Sequence, residues 1–362
     1  MLLVVNAGSS SLKLAVYDQA LQRVAQARQE RIAAGGHEAA LCDGMAEIGL
    51  PVSAFSAAAH RVVHGGSKLT ASCRIDSMVT AQIEACSPLA PLHNPANLSG
   101  IRALAALAPD LPQYASFDTA FHATNPEVAQ RYALSPQAEA LGLRRYGFHG
   151  LSYAAIVRKV RGMARGQLPK RLLALHLGNG ASLCAILNGR SVATTMGYSP
   201  LSGLTMGTRS GDIDGNAVLR MVELFGPNET ARLLNHGAGL LGLGGVADMR
   251  ALSAAGTAEA RFARAHFCYW ALRHAGSMVA AMGGLDAIVF TGGIGENDAA
   301  VRVEILTGLG YLGVSFDPDA NRAHLESLQN LRSAVAIWIA PADEEGQIAR
   351  EVAALRAGKD IG

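Results

Sequence analysis

Four short clusters put charged side chains where glycine or a strand end leaves them room. HRVVHGG (60 to 66) carries Arg61 and His64, and FDTAFH (117 to 122) ends a run of β-formers on Asp118. YGFHG (146 to 150) sets His149 between an aromatic residue and a glycine. MGTRSGDIDG (206 to 215) places Arg209 in a Gly/Ser loop ahead of a helix that Asp212 could cap. Taken singly, each histidine also reads as a satisfied structural residue, and Arg209 as a loop-stabilising donor. Taken together, an acid, two arginines and a histidine on glycine-flanked strand ends suit phosphoryl transfer to an anionic acceptor. Charge must then be neutralised both on the phosphoryl group and on the attacking oxygens.

Such a site needs a grip on a phosphate chain, and small-residue turns offer one. LVVNAGSSSLKLAVYD (3 to 18) reads as strand, Gly/Ser turn and strand, and LLALHLGNGASLCAIL (172 to 187) repeats the unit. Backbone N–H groups of Gly8 to Ser11 and Gly178 to Gly180 can point at an anion because no large side chain blocks it. One such turn alone is a plain β-turn. Two in matching strand contexts point to a duplicated domain with a nucleotide between the halves. Neither turn has the P-loop pattern or a GxGxxG opening a helix. A third glycine turn, FTGGIGEN (290 to 297), follows the apolar run DAIVF, with Glu296 and Asn297 opening the next helix. It reads equally as a simple strand-to-helix turn. PADEEG (341 to 346) sets Asp343, Glu344 and Glu345 at a helix start, where the macrodipole favours acids and where one could hold Mg²⁺.

The elements that must carry these clusters alternate, which predicts an α/β fold. Strands are expected near 2–6, 12–17, 57–63 and 114–118, then 172–177, 182–187, 190–195, 286–290 and 334–340. Helices are expected near 37–48, 77–86, 96–107, 150–165, 212–225, 257–282, 296–308 and 343–357, the last packing back on the first domain. A chain of 362 residues, 50% hydrophobic, suits two domains. A net charge of only +2 with scattered Arg and Lys gives no footprint for nucleic acid or anionic lipid. Five cysteines without CxxC spacing, no leader-like N-terminus and no long apolar run predict a reduced, cytoplasmic protein that does not span a membrane.

In order along essentially the whole chain, NAGSSSLK, HRVVHGG, PLAPLHNPAN, FDTAFH, YGFHG, LHLGNGAS, MGTRSGDID, DMR, FTGGIGEN and the closing acids resemble the acetate kinase family. The resemblance implies the duplicated actin-like (ribonuclease H-like) fold, with ATP in the cleft between domains. Residues 1–119 plus about 342–362 would form the N-terminal domain, and 120–341 the C-terminal domain with most of the nucleotide site. It also implies a homodimer, ATP/ADP and Mg²⁺ as cofactors with Mn²⁺ as a substitute, and reversible formation of acetyl phosphate from ATP and acetate.

Residue by residue, the resemblance gives Asn6 and Glu344 to the metal site, and Ser9, Ser11 and Lys13 to the nucleotide phosphates. His176, Leu177, Gly178, Asn179 and Gly180, with Asp248, Met249, Arg250, Gly293, Ile294, Gly295, Glu296 and Asn297, match the segments that hold ATP. Arg61 matches the arginine gripping the acetate carboxylate, Asp118 the active-site acid, and His149 and Arg209 the transition-state stabilisers. Val63, Leu92, Phe148 and Pro200 match the pocket for the substrate methyl group, with His93 beside them. The chain departs from the family in shortened stretches around 26–50 and before Asp248, in Ala193 for an acid, and in Gly215 for a proline.

A carboxylic acid acceptor is already ionised at pH 7, so nothing need remove its proton. Asp118 is therefore expected to orient Arg61 or a metal-bound water rather than act as a base. Propionate is the alternative acceptor, because one methylene shifts selectivity by only about 1 to 3 kcal/mol. A nucleotide-driven chaperone or filament on the same superfold would leave the paired arginines unexplained.

Overall fold

The structure, a computed structural model, describes residues 1–8, 10–33, 35–91 and 93–359 and divides into two compact units. Unit 1 comprises Met1–Ala123, Phe148–Ala155 and Asp343–Gly362, and unit 2 comprises Thr124–Gly147 and Ile156–Ala342.

Unit 1 is built on strands β1 (Leu2–Ala7), β2 (Ser11–Tyr17), β3 (Arg23–Glu30), β4 (Ala57–Val62), β5 (Cys73–Arg74) and β6 (Gln113–Phe117). Their order is β3-β2-β1-β4-β6-β5, with β1, β2 and β3 an antiparallel meander and β1, β4 and β6 parallel. Unit 2 repeats the plan with β7 (Arg171–Leu177), β8 (Ala181–Leu187), β9 (Arg190–Thr194), β10 (Ala287–Thr291) and β11 (Ala336–Ile339). The order is β11-β10-β7-β8-β9, again an antiparallel meander joined to parallel strands. Among the described residues only the two-residue β5 lacks a counterpart. Two sheets with one wiring diagram make this the duplicated actin-like α/β fold.

The central strands are apolar on both faces because helices cover both. In unit 1, Leu3, Val5, Leu12 and Leu14 face Leu41, Met45 and Leu104 of helices His37–Ile48 and Asn94–Leu107. The alternate residues Leu2, Val4, Ala15, Ala57 and Ala59 face Leu151 and, from the last helix Glu344–Arg356, Ile348, Ala349 and Val352. The C-terminal helix thus closes the first sheet, as the sequence predicts, and carries Glu344 with it. Each fully buried Leu, Val or Ile contributes roughly 1.5–3 kcal/mol. In unit 2 the long helix Ala258–Met282 buries Ala260, Ala263, Phe267, Ala271, Ala275 and Met278, the three-to-four spacing of one helical face.

The structure departs from the expected elements in identifiable places. β3 is not predicted: RVAQARQE has the polar composition of an edge strand, which charged side chains protect from further pairing. The helix expected over 212–225 runs Gly215–His236, with left-handed Gly226 (φ 77°) ahead of Pro227 inside it. Its cap is Asp214, whose carboxylate accepts from Asn216 and Ala217 N–H, whereas the Asp212 carboxylate accepts from Gly203 N–H at 2.7 Å. Glu296 and Asn297 do not open the next helix. They end a short one, Gly292–Asn297, and Asp298 caps the following helix Ala299–Gly308.

Gly215 occupies the first helical position, where proline is well accepted. Asp214 before it is extended (φ −63°, ψ 134°), as a following proline requires, and a Cβ on Gly215 meets no atom within 4 Å. Gly215→Pro is therefore expected to stabilise by about 1 kcal/mol through the unfolded chain, read as a higher denaturant midpoint with unchanged slope. A lowered midpoint would show that the turn needs glycine.

Candidate functional site

In unit 1 a charged corner forms where β1, β4 and β6 end. Arg61, the penultimate residue of β4, donates from Nε to Asp118 Oδ1 at 3.0 Å and from Nη2 to Asp118 Oδ2 at 2.6 Å, a two-pronged pair. Its Nη1 lies 3.5 Å from Asn6 Oδ1 and 3.6 Å from Glu344 Oε2. Asn6 in turn donates from Nδ2 to Glu345 Oε1 at 3.3 Å. Lys13 stands opposite Asn6 in the β1–β2 register and is exposed. Asn6, Arg61, Asp118 and Glu344 are thus brought together, with Glu345 added by the structure. Burial opposes the charge on Arg61, but Asp118 and then Glu344 overcome it and hold the guanidinium protonated. Burial raises the Asp118 carboxyl while Arg61 pulls it back, and the two-pronged geometry is that of a carboxylate on a guanidinium.

Beside this corner, Phe148 (2% exposed) meets His64 edge-on at 5.5 Å between ring centres, and Val63 is buried. His149 adopts φ 58°, a left-handed backbone that non-glycine residues take at a cost of roughly 1–3 kcal/mol. It is held there because Gly150 N–H donates to Asp118 O at 2.8 Å and Tyr153 N–H to His149 O at 3.0 Å. A Cβ on Gly150 would come within 2.2 Å of Asp118 O, so glycine is required for this approach. His122 Nε2 lies 2.9 Å from Phe148 O, fixing the segment from the other side. His93 precedes helix Asn94–Leu107, and its N–H donates to Ala90 O. Ser11 opens β2, its carbonyl accepting from Gly8 N–H at 2.7 Å. Ser9 and Leu92 lie outside the described residues.

In unit 2 the second turn, FTGGIGEN and DMR converge. Gly178 N–H donates to Gly180 O, and Gly207 N–H donates to Asn179 O at 2.9 Å. His176 and Leu177 end β7, with His176 paired to Thr291 at the end of β10. Left-handed Gly292 (φ 79°) lets the chain turn against Leu177, whose carbonyl would be 2.7 Å from a Cβ there. A Cβ on Gly207 would lie 3.2 Å from Ala247 O, next to Asp248. Asp248 caps helix Met249–Ala255, accepting from Arg250 and Ala251 N–H, and these bonds, the Ala251 one foremost, lower its carboxyl. Gly293 and Asn297 are exposed, while Glu296 turns inward, its Oε1 accepting from Gly292 N–H at 2.8 Å and Ala342 N–H at 2.9 Å. Gly295 is buried, with Ile294 half-buried beside it.

Fully buried Arg302 spends its guanidinium on the carbonyls of Gly295, Glu296 and Asn321, the Asn321 side chain and His324 Nδ1. It clamps the C-terminal end of FTGGIGEN. Arg209 donates to Pro200 O at 2.7 Å, and among the described residues no carboxylate pairs with it. Burial lowers its guanidinium from the ordinary value. Sequence reasoning missed Arg302 and the buried amides of Asn94 and Asn97. The only signal was the three-residue spacing of the two asparagines within PLHNPAN.

A family model described as the acetokinase family matches residues 45–350. The chain is 42% identical over 349 residues to the acetate kinase of Methylocella silvestris, covering 95% of this chain and 86% of that relative. It is 42% identical over 393 residues to that of Deinococcus radiodurans, covering 99% and 98%. Among solved structures, the acetate kinase of Porphyromonas gingivalis superimposes with a TM-score of 0.89 at 34% identity, covering 97% of this chain and 98% of that one. A propionate kinase from Francisella tularensis gives the same TM-score, identity and coverage.

Around the site, His60, His64 and His122 are each pushed down to about 4 by burial, so the fold keeps them neutral. Between pH 6.5 and 4 the unfolded chain takes up protons that the folded one does not. Stability therefore rises with pH through this window and is lost as pH falls. The thermal midpoint is expected to drop steadily from pH 6.5 to 4.5, and to drop less in His60→Gln. Equal slopes for the two proteins would contradict a neutral buried His60.

Proposed function

The chain belongs to the acetokinase family, and from that premise we propose that it acts as an acetate kinase, moving the terminal phosphoryl group of ATP reversibly to acetate. An acetate oxygen bonds to the γ-phosphorus, the bond from that phosphorus to the bridging oxygen breaks, and acetyl phosphate and ADP result. The observation that carries this reading is the Arg61–Asp118 fork: both Asp118 oxygens accept from Arg61. A hydroxyl acceptor would need a carboxylate available to take its proton, whereas an ionised carboxylate needs only a cation and correct placement. Arg61 grips the acceptor carboxylate, and Val63 and Phe148 receive its methyl group.

By the family likeness the nucleotide is assigned to His176–Gly180, Asp248–Arg250 and Gly293–Asn297, and Lys13 is assigned to its phosphates. Asn6 and Glu344 offer the few hard oxygen donors that suit Mg²⁺, an ion that keeps several waters, and Mn²⁺ accepts the same set. A bound divalent ion would neutralise charge on the phosphate oxygens. Arg209, with no carboxylate partner among the described residues, adds its full charge to the transferring group, and His149 does so through a hydrogen bond. The division into two compact units supports a two-domain reading, with residues up to Ala123 and Phe148–Ala155 falling in the first unit rather than the second. The family likeness also supports a homodimer of the cytoplasm that supplies acetyl phosphate for acetyl-CoA formation.

Propionate is the second reading, supported by the equal likeness to the Francisella enzyme. Hydroxamate trapping of acyl phosphate with ATP and Mg²⁺ separates them. Acetate is expected to be preferred over propionate and butyrate. A propionate preference keeps the mechanism and changes the acceptor, and no product from any acid refutes the assignment.

Asp118→Asn is expected to lower kcat by about 10²-fold or more by releasing Arg61, while the residual rate keeps the wild-type pH profile. Loss of a titrating limb would instead identify a base. Arg209→Ala is expected to cost roughly 10³-fold in kcat, and a loss below about tenfold would remove it from the transition state.

A further inference from the structure

β4 ends at Val62, and the next four amides leave the sheet. Each donates to a side chain. Val63 N–H bonds Asn97 Oδ1 at 3.0 Å, His64 N–H bonds Asn94 Oδ1 at 3.0 Å, Gly65 N–H bonds Thr119 Oγ1 at 3.1 Å and Gly66 N–H bonds His64 Nδ1 at 2.9 Å. A loop whose successive amides are claimed by buried side chains has its path set from outside, because releasing any one strands a donor away from water.

Asn94 and Asn97 stand one turn apart on one face of helix Asn94–Leu107 and are 0% and 2% exposed. Both use the other end of the amide as well. Asn94 Nδ2 donates to His64 O at 3.0 Å and Ile83 O at 3.3 Å, closing a two-way pair with the His64 backbone. Asn97 Nδ2 donates to Ala7 O at 2.7 Å. A single amide therefore ties Val63, in the acyl pocket, to Ala7, the residue after Asn6. Both side chains satisfy a donor with their oxygen and a carbonyl with their nitrogen, which neither Asp nor Leu could reproduce.

We propose that Asn94 and Asn97 are positioning residues that set acyl selectivity. By fixing Val63 and His64 against the β1 turn, they fix how much chain the pocket admits and where the acceptor carboxylate lies relative to Asn6. This rests on the acetate kinase reading, since it takes Val63 as a wall of the acyl pocket. Neither asparagine touches the acceptor. Their effect passes through the backbone of Val63 and His64.

Asn97→Ala and Asn94→Ala would be assayed with acetate and propionate at varied ATP, beside wild type and Ile101→Val, which loosens the same helix from its buried side. The expected result is a tenfold or greater rise in the acetate KM. The propionate-to-acetate ratio of kcat/KM should shift at least threefold toward propionate, with the ATP KM within twofold. An acetate KM within twofold of wild type, or the same changes in Ile101→Val, would overturn the proposal. Where the alanine variants fail to fold, Thr119→Val decides, because it is isosteric and removes only the Gly65 bond. A threefold rise in its acetate KM supports positioning by the loop, and an unchanged one refutes it. Wild type forming no acyl phosphate would fail the acetate kinase reading itself, whereas active wild type with unchanged variants would fail only the positioning role.

Discussion

The pairing of Arg61 with Asp118 is the constraint to which the rest of unit 1 answers. Taking a guanidinium and a carboxylate out of water costs several kcal/mol per ion, and mutual attraction offsets this only when geometry is good and the remaining hydrogen bonds are made. The two parallel bonds at 3.0 and 2.6 Å meet the first condition. The second is met partly by Asn6 Oδ1 and Glu344 at the outer edge of Arg61, which leaves that edge facing further oxygen atoms. Replacing such a pair with apolar residues would serve stability as well or better. Its presence at three strand ends therefore calls for a reason other than stability, and the proposed reaction supplies one, a cation held in a fixed orientation for an anionic ligand.

The duplicated wiring gives the two units the same turn but different strand ends. Both place a tight turn after their first strand, with Gly8 N–H bonded to Ser11 O in one and Gly178 N–H to Gly180 O in the other. The ends of the parallel strands next to each turn then differ. In unit 1 they carry Arg61 and Asp118, and in unit 2 the small-residue segments around Thr291 and Gly292. The first supplies fixed charge. The second supplies backbone that can lie close to a ligand, kept in place from behind by Glu296 and Arg302.

Strands β1, β2, β4 and β6 to β11 are legible in the sequence because each is a run of β-formers closed by turn residues. β3 is not, because an edge strand carries its information in pairing to β2 and leaves polar side chains outside. Asp214 rather than Asp212 caps its helix because Asp212 is drawn to Gly203, a tertiary contact that propensity cannot foresee. The members of the charged corner are legible as residue types at strand ends, but not their partners. That Asp118 spends both oxygens on Arg61 depends on β6 pairing beside β4, and that Asn6 reaches Glu345 depends on the last helix folding back onto β1 and β4. The asparagine clamps are the least visible, since buried amides look like any helix-start residues until the loop they hold is known.

The contrast between the two arginines gives the electrostatic logic. Arg61 is already matched by Asp118 and neighboured by Glu344, so a further carboxylate finds a cation of reduced net charge and a fixed fork. In the proposed reaction that combination orients an acceptor without holding it so tightly that its oxygen loses the ability to attack. Among the described residues Arg209 has only a carbonyl partner, Pro200, and it is partly buried, so its charge is weakly screened and costly to leave unmatched. Such a group gains most from the species carrying the most negative charge. For an acceptor that arrives ionised, charge crowds where phosphorus lies between two anionic oxygens, and stabilisation there lowers the barrier more than it tightens the ground state.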